Sequence, residues 1–371
     1  MTYSDKLKKI TIVTLSYCRQ EILMRSMKYW SDRGPNVLVF DGSPEPIKFK
    51  EKEKLGSNIY YHHSPVSYKD RLAMVKKLIK TPYVIKLADD DFYLPSSICK
   101  AIDFLDENED FSACSFKPIG FKYSKKKGVI AITGVYDDMN NNYSIENSTP
   151  GDRMQAHMGR YMPSTMYAVL RSNNWNNTVE PYIKYQFPVF AIHELQMELS
   201  TAYLGKSIVL PVLGWLKSAE LEQVSGPEES LKRTIEFHEL WNIEDSNCKF
   251  KKEFVDYMAT LFSKIDKRRK PDVSKEVVSA MDKYVLWVSK YNKEKIIFFE
   301  LRELIKNFLP VSIKSIVIKY LNILRKIYDK IKTDQNLLDY YEKNYSNNNY
   351  VILEELREIE TYIKASYNKE F

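Results

Sequence analysis

The residues best suited to chemistry are three consecutive aspartates, Asp89, Asp90 and Asp91. They follow the apolar run Tyr83-Val84-Ile85-Lys86-Leu87-Ala88 and precede Phe92-Tyr93-Leu94-Pro95. Adjacent carboxylates repel one another, so a strand that ends in three of them calls for a compensating cation. A hard dication such as Mg²⁺ or Mn²⁺, shared between carboxylate oxygen and substrate phosphate, supplies it. The triplet therefore points to a metal–nucleotide site. It equally suits a solvated turn in which one aspartate caps a helix over 96–105.

The surrounding elements decide where such a triplet would stand. A β-branched run at 10–15 predicts a strand buried on both faces. Helical spacing follows over 19–30, then a second strand over 36–40 that ends at Asp41-Gly42-Ser43. Residues 58–62 read as a third strand, 67–79 as an amphipathic helix and 83–88 as a fourth strand. This alternation implies a parallel sheet with right-handed crossovers, whose ligands bind beyond the carboxyl ends of the strands. Ser16, Tyr17, Asp41 and the aspartate triplet all fall at that edge, which is the geometry of a nucleotide pocket. Further on, 128–133 reads as a strand and 136–151 as an Asn- and Asp-rich loop, either a lid or a surface excursion. A helix over 190–204 stops at Gly205, and a last strand-like run over 208–210 meets Pro211 and leads to 212–216.

Composition narrows the class. The chain has 371 residues, 44% hydrophobic and 28% charged, enough for two or three domains. Cys18, Cys99, Cys114 and Cys248 are widely spaced with no Cys/His pairing, so neither a disulfide framework nor a zinc site is expected, and a reduced, cytoplasmic compartment is. No apolar run reaches the roughly 18–20 residues that span a bilayer. The net charge of +7 is spread along the chain, and no nucleic-acid partner is expected. A break at Ser225-Gly226-Pro227-Glu228 divides residues 1–225 from a mainly helical 226–371. In the latter, Ile313, Ile316, Val317, Tyr320, Leu321 and Leu324 form an apolar stripe with Lys314, Lys319 and Arg325 off it. That stripe suits a helix packed on its own domain or a partner copy, or one lying on an anionic membrane face.

Five segments carry a resemblance. They are Thr11-Ile12-Val13-Thr14-Leu15-Ser16-Tyr17-Cys18-Arg19, Val39-Phe40-Asp41-Gly42-Ser43, Tyr68-Lys69-Asp70-Arg71-Leu72, residues 83–95, and Phe104-Leu105-Asp106-Glu107-Asn108. Together, over residues 8–220, the chain resembles the family 2-like glycosyltransferases of GT-A fold found in bacterial surface-polysaccharide gene clusters. The resemblance implies an α/β GT-A domain, Rossmann-like with a mostly parallel sheet, followed by the helical C-terminal region. It implies that Ser16, Tyr17 and Arg19 contact the nucleotide, that Asp41 binds base or ribose, and that Arg71 faces the nucleotide. Asp89 and Asp90 then belong to the donor site, with Asp91 as the direct metal ligand and Asp89 on ribose or metal.

Inverting members carry a catalytic carboxylate at the start of a later helix. Glu194 in Ala191-Ile192-His193-Glu194-Leu195 takes that slot, with His193 where an acid is usual; Asp152 and Glu198 compete for the role. The late histidine ligand of many such enzymes is missing, which leaves Glu220 to bind metal or Lys217 to neutralise phosphate. Asp152, His157, Arg160 and Trp215 fall on the acceptor side. The implied cofactor is Mn²⁺ or Mg²⁺, and the implied donor is a nucleotide sugar, UDP-linked ahead of GDP-linked. A glycan or lipid-linked glycan is the implied acceptor, with peripheral contact to the inner membrane and pairing of copies through the helical tail.

Such a transfer needs charge stabilisation on the leaving diphosphate and a base for the acceptor hydroxyl. No protein nucleophile is required, and no Ser/His/Asp or Cys/His arrangement is evident. A retaining GT-A transferase or a sugar-phosphate nucleotidyltransferase is the enzymatic alternative, although the latter wants a Gly-rich phosphate loop that 15–20 lacks. A non-catalytic scaffold organised by the helical tail is the alternative of another class.

Overall fold

The computed structural model describes residues 3–48, 55–187, 191–220, 249–291, 335–345 and 350–368, together with 237, 240 and 241. One ten-stranded sheet organises them. Its strands are β1 (Ile10–Ser16), β2 (Asn36–Asp41), β3 (Ile59–His63), β4 (Tyr83–Lys86), β5 (Phe92–Tyr93), β6 (Phe111–Ser124), β7 (Gly128–Ile132), β8 (Ser144–Ile145), β9 (Val169–Arg171) and β10 (Lys206–Ser218). The order is β3-β2-β1-β4-β9-β6-β10-β5, with β7 on β6 and β8 on β10. The four longest parallel pairings, β1–β2, β1–β4, β2–β3 and β6–β10, dominate the sheet, and β9 and β5 run antiparallel within it. This is the expected α/β class with a mostly parallel sheet and helices following it.

Burial explains why the first strands form. In β1 and β2, residues alternate between two apolar layers. Ile10, Ile12, Val37 and Val39 join the core that contains the helices Gln20–Trp30 and Pro95–Glu107. Val13, Leu38 and Phe40 join the opposite core, formed with Tyr68–Leu78 and Ser172–Lys184. A strand covered on both faces is selected for branched apolar residues throughout.

Three local outcomes differ from the periodicity reading. Pro211 does not end the last strand. Instead β10 runs through it with register shifts between Leu210 and Trp215, because a bulge tolerates a residue that lacks an N–H. The segment 136–151 is not a plain loop. It contains a short 3₁₀ turn at Asp137–Asn140, strand β8, and the start of a helix, Pro150–Met158, capped by Thr149. The helix Ser172–Lys184 was not legible, since its Pro181 and paired asparagines mask the spacing.

The helices after residue 249 complete cores begun before 220. Lys249–Asp266 and Lys270–Tyr291 bury Phe254, Met258, Val277 and Met281 against Met154 and Met158 of Pro150–Met158 and Leu195 and Leu199 of Ala191–Leu204. Leu337–Asn344 and Tyr350–Tyr367 pack on the other side of the sheet, where Leu337, Tyr341, Leu356 and Ile359 enter the first core. Among the described residues, the apolar side chains after 249 share these cores with residues before 220. The stripe over 313–331 and the break at 225–228 lie outside the described residues. No described helix is long and apolar enough to cross a membrane.

One contact ties the C-terminal helix to the element that follows the aspartate triplet. Glu355 is buried; its Oε1 accepts from Ser96 N at 2.8 Å and from Tyr3 Oη at 2.5 Å, and its Oε2 accepts from Ser96 Oγ at 2.7 Å. It thereby caps the first turn of Pro95–Glu107, which has no cap of its own. Glu355→Ala orphans these donors and is expected to cost about 2–4 kcal/mol, read as a lower urea midpoint at unchanged m-value.

Candidate active site

The site is built where the parallel strands end. Ser16 pairs in register with Asp41, and Asp41 with His63, so three polar side chains stand side by side. Asp41 is fully buried; its Oδ1 accepts from Ser43 N at 2.9 Å and from the Ser43 hydroxyl, and its Oδ2 accepts from Tyr61 Oη at 2.7 Å. Ser43 in turn accepts from Cys18 N at 2.8 Å, which fixes the turn after β1 where Cys18 adopts φ of 54°. Arg71, 5% exposed, reaches up from Tyr68–Leu78 and donates to the carbonyls of Ser16 and Phe40, the latter at 3.1 Å. Gly42 makes room for it: a Cβ there would stand 2.5 Å from Arg71 Cζ. Arg71 thus clamps two strand ends from below and does not project into the open cleft.

The aspartate triplet lies one strand over, after β4. Asp89 Oδ2 accepts from Ser16 Oγ at 2.6 Å, and Arg19 Nη1 bridges Asp89 Oδ1 at 3.2 Å and Asp90 Oδ2 at 3.1 Å. Burial raises Asp89 above the usual carboxylate range despite these partners. Asp91 is more deeply held. Its Oδ2 accepts from Trp215 Nε1 and its Oδ1 from Ser218 N, each at 2.8 Å, while burial pushes its carboxyl up to about 7 against the opposing pull of Lys217. Beneath the turn, Arg25 donates to the Asp90 carbonyl at 3.3 Å and to Glu220 at 2.7 Å.

The helix Ala191–Leu204 brings a further carboxylate toward the triplet, since Lys217 acts electrostatically on both Asp91 and Glu194. Glu194, in its first turn, is partly exposed, and one oxygen accepts from the Tyr161 hydroxyl. Its other oxygen has no hydrogen-bond partner among the described residues. Burial raises its pKa, as does the Glu198 carboxylate, while the Tyr161 hydrogen bond and the charges of Lys86 and Lys217 pull the other way. One turn on, Glu198 is fully buried and accepts from His157 Nε2 at 2.7 Å, the Thr165 hydroxyl and Met166 N at 2.7 Å. It thereby anchors the segment carrying Tyr167, whose ring stacks on Trp215 at 4.9 Å. Trp215 is the donor that holds Asp91, so the helix and the triplet are mechanically joined.

Of the residues singled out in the sequence, Ser16, Arg19, Asp89, Asp90 and Asp91 gather at one edge, with Asp41 beside them and Tyr17 exposed at the mouth. The four acceptor-side candidates are each engaged by the protein itself. Asp152 turns its carboxylate to its own cap, Thr149 Oγ1, at 2.7 Å. His157 is buried between Tyr143 and Glu198, with no exposed edge for a ligand. Arg160 lies over the Tyr143 ring at 5.2 Å. Trp215 is 0% exposed, stacked with Tyr136 and Tyr167, and offers no face to a sugar. Glu198 and Asp152 are thus committed to structure, which leaves Glu194 as the carboxylate with an open oxygen. Glu220 is bound to Arg25, so Lys217 is the late polar residue left to face the cleft. Sequence reading missed Lys86, Tyr161 and Tyr167; the lysine alone left a signal, as the one charge inside a strand buried on both sides.

No group of three or more His, Cys, Asp or Glu side chains converges among the described residues. Asp91 fits a single hard-oxygen ligand, because each oxygen is oriented by one N–H and keeps a second lone pair. Asp89 does not fit, since the Arg19 guanidinium already occupies the position of its counter-charge.

No known protein family matches the chain, and no curated protein matches it either. Among solved structures, residues 1–349 of TarS from S. aureus align at 13% identity and a TM-score of 0.41, covering 77% of this chain and 91% of that one. The same protein in complex with UDP-GlcNAc aligns at 16% identity, covering 77% and 92%, with a TM-score of 0.41. The mannosyltransferase PcManGT from Pyrobaculum calidifontis, in complex with GDP-Man and Mn²⁺, aligns at 9% identity and a TM-score of 0.40, covering 97% and 86%. At these scores the function rests on the side chains of the site itself.

Trp215→Phe keeps the ring stack and deletes the N–H that Asp91 Oδ2 accepts. It is expected to cost about 1–3 kcal/mol in chemical denaturation. Gly42→Ala displaces Arg71 from the ends of β1 and β2, and a drop in melting temperature of several degrees is expected in a thermal scan.

Proposed function

We propose that this protein is an inverting glycosyltransferase, which moves a sugar from a nucleotide-sugar donor to a hydroxyl of a glycan or lipid-linked glycan in bacterial surface-polysaccharide synthesis. The observation that carries the reading is the opposition of two differently prepared carboxylates across one cleft. Asp91 has both oxygens fixed by N–H donors at 2.8 Å, whereas Glu194 keeps one oxygen open. The first suits a charge-bearing, stationary role and the second a proton-accepting one.

The donor nucleotide lies along the ends of β1 and β2, where Ser16, Tyr17 and Arg19 line the approach and the buried Asp41 holds the Ser43 turn and Tyr61 in place beneath it. The diphosphate faces Asp91 and Lys217. A dication held by Asp91, Mn²⁺ or Mg²⁺, would supply charge stabilisation to the leaving diphosphate. Lys217 adds a fixed positive charge on the same side. Glu194 takes the proton of the acceptor hydroxyl on its open oxygen as that hydroxyl attacks the sugar from the face opposite the diphosphate. Tyr161 holds the other oxygen and keeps the carboxylate aimed. Because the attack is direct, the anomeric configuration inverts and no covalent enzyme intermediate forms.

A base must be ionised to act, and burial holds the Glu194 pKa above the ordinary glutamate range. The acidic limb of the pH–rate profile is therefore expected above that range, with activity rising as pH rises through it. Glu194→Gln should remove the limb and lower kcat by about 10²–10⁴-fold. Donor affinity should stay within about twofold, since a residue acting on the proton contributes little to ground-state binding. Thermal-shift titration with UDP, GDP and their sugars, with and without Mn²⁺, reads the donor: a ligand of the folded state raises the melting temperature. Absence of stabilisation by every nucleotide would overturn the reading, as would full transfer by the Glu194→Gln protein.

A further inference from the structure

We propose that Lys86 binds an acidic group on the sugar being transferred, so that the donor is a nucleotide-linked sugar acid such as a hexuronate. The inference rests on the transferase reading above and names the substrate class of that site. Lys86 ends β4, three residues before Asp89, and is only 8% exposed. Its ammonium lies over the rings of Tyr167 at 5.2 Å and Tyr68 at 5.6 Å. It forms neither an ion pair nor a hydrogen bond with any described residue. The Glu194 carboxylate is within electrostatic range but makes no direct contact, and a buried ammonium without a hydrogen-bonded counter-ion is costly, with tyrosine faces returning only part of that cost. That leaves its N–H donors for a group on the ligand.

The position says which part of the ligand. Lys86 acts electrostatically on Glu194, whereas Lys217 acts on both Asp91 and Glu194. Lys217 therefore stands between the two carboxylates, and Lys86 beside the proton-accepting one, the end of the site that the transferase reading gives to the sugar. The two tyrosine rings beside Lys86 give the apolar face of a pyranose a surface to rest on while the ammonium meets its carboxylate.

The test uses the full chain with paired donors that differ only in oxidation at C6: UDP-hexuronate against UDP-hexose, and the GDP-linked pair, read by calorimetry and thermal shift. The wild-type protein is expected to bind the hexuronate about tenfold to a hundredfold more tightly than its neutral partner. Lys86→Arg should keep most of that preference. Lys86→Met, close in volume and apolar, should fold and lose the preference through weaker hexuronate binding. Equal affinity of the wild-type protein for both members of a pair overturns the proposal, as does a Lys86→Met protein that retains the preference. If no nucleotide sugar of either kind binds, the transferase reading falls with it; if neutral and acidic donors bind alike, only this proposal does.

Discussion

Three adjacent carboxylates at a buried strand end set the terms for everything around them. At that depth an unmatched charge is costly, so each aspartate must be met by a donor brought from another part of the chain. Arg19 spans Asp89 and Asp90, Ser16 meets Asp89, and Arg25 supports the turn through the Asp90 carbonyl. Asp91 is met by two neutral N–H groups from β10, some 120 residues away in sequence. Neutral donors leave its negative charge uncancelled and so able to attract a cation, whereas a guanidinium would have quenched it.

The same constraint links both sides of the cleft. Trp215 can hold Asp91 only while its ring is held in turn, and Tyr136 and Tyr167 do that by stacking. Tyr167 follows Met166, whose backbone is tied to Glu198, one turn beyond Glu194 on the same helix. Tyr93 adds a second brace by donating to the carbonyls of Lys86 and Tyr167. Distance and aim between the triplet and the opposing carboxylate are thus set by a chain of contacts through packed aromatic rings. Glu198 and His157, which resemble catalytic residues in composition, serve as the buried peg of that chain.

Much of the first hundred residues was legible, for a simple reason. Strands covered on both faces must be apolar throughout, their polar ends mark the ligand edge, and the spacing of Leu72 and Val75 marks the covering helix. Sequence spacing could not assign Arg71, because the choice between clamp and ligand contact depends on the gap that Gly42 leaves above it. Nor could it separate Asp152, Glu194 and Glu198. All three are acids near helix starts or faces, and only packing shows that one is turned to its cap, one is enclosed, and one keeps an open oxygen.

The order of residues alone determined the α/β alternation, the parallel strands, and the placing of Ser16, Asp41 and the triplet at their carboxyl ends, because these follow from local periodicity and from where polarity interrupts it. The tertiary structure decided which carboxylates remain available, that Trp215 serves Asp91 instead of facing a sugar, and that Lys86 lies buried without an ion-pair partner among the described residues. Those are properties of distance and burial between segments far apart in the chain, and no local pattern encodes them.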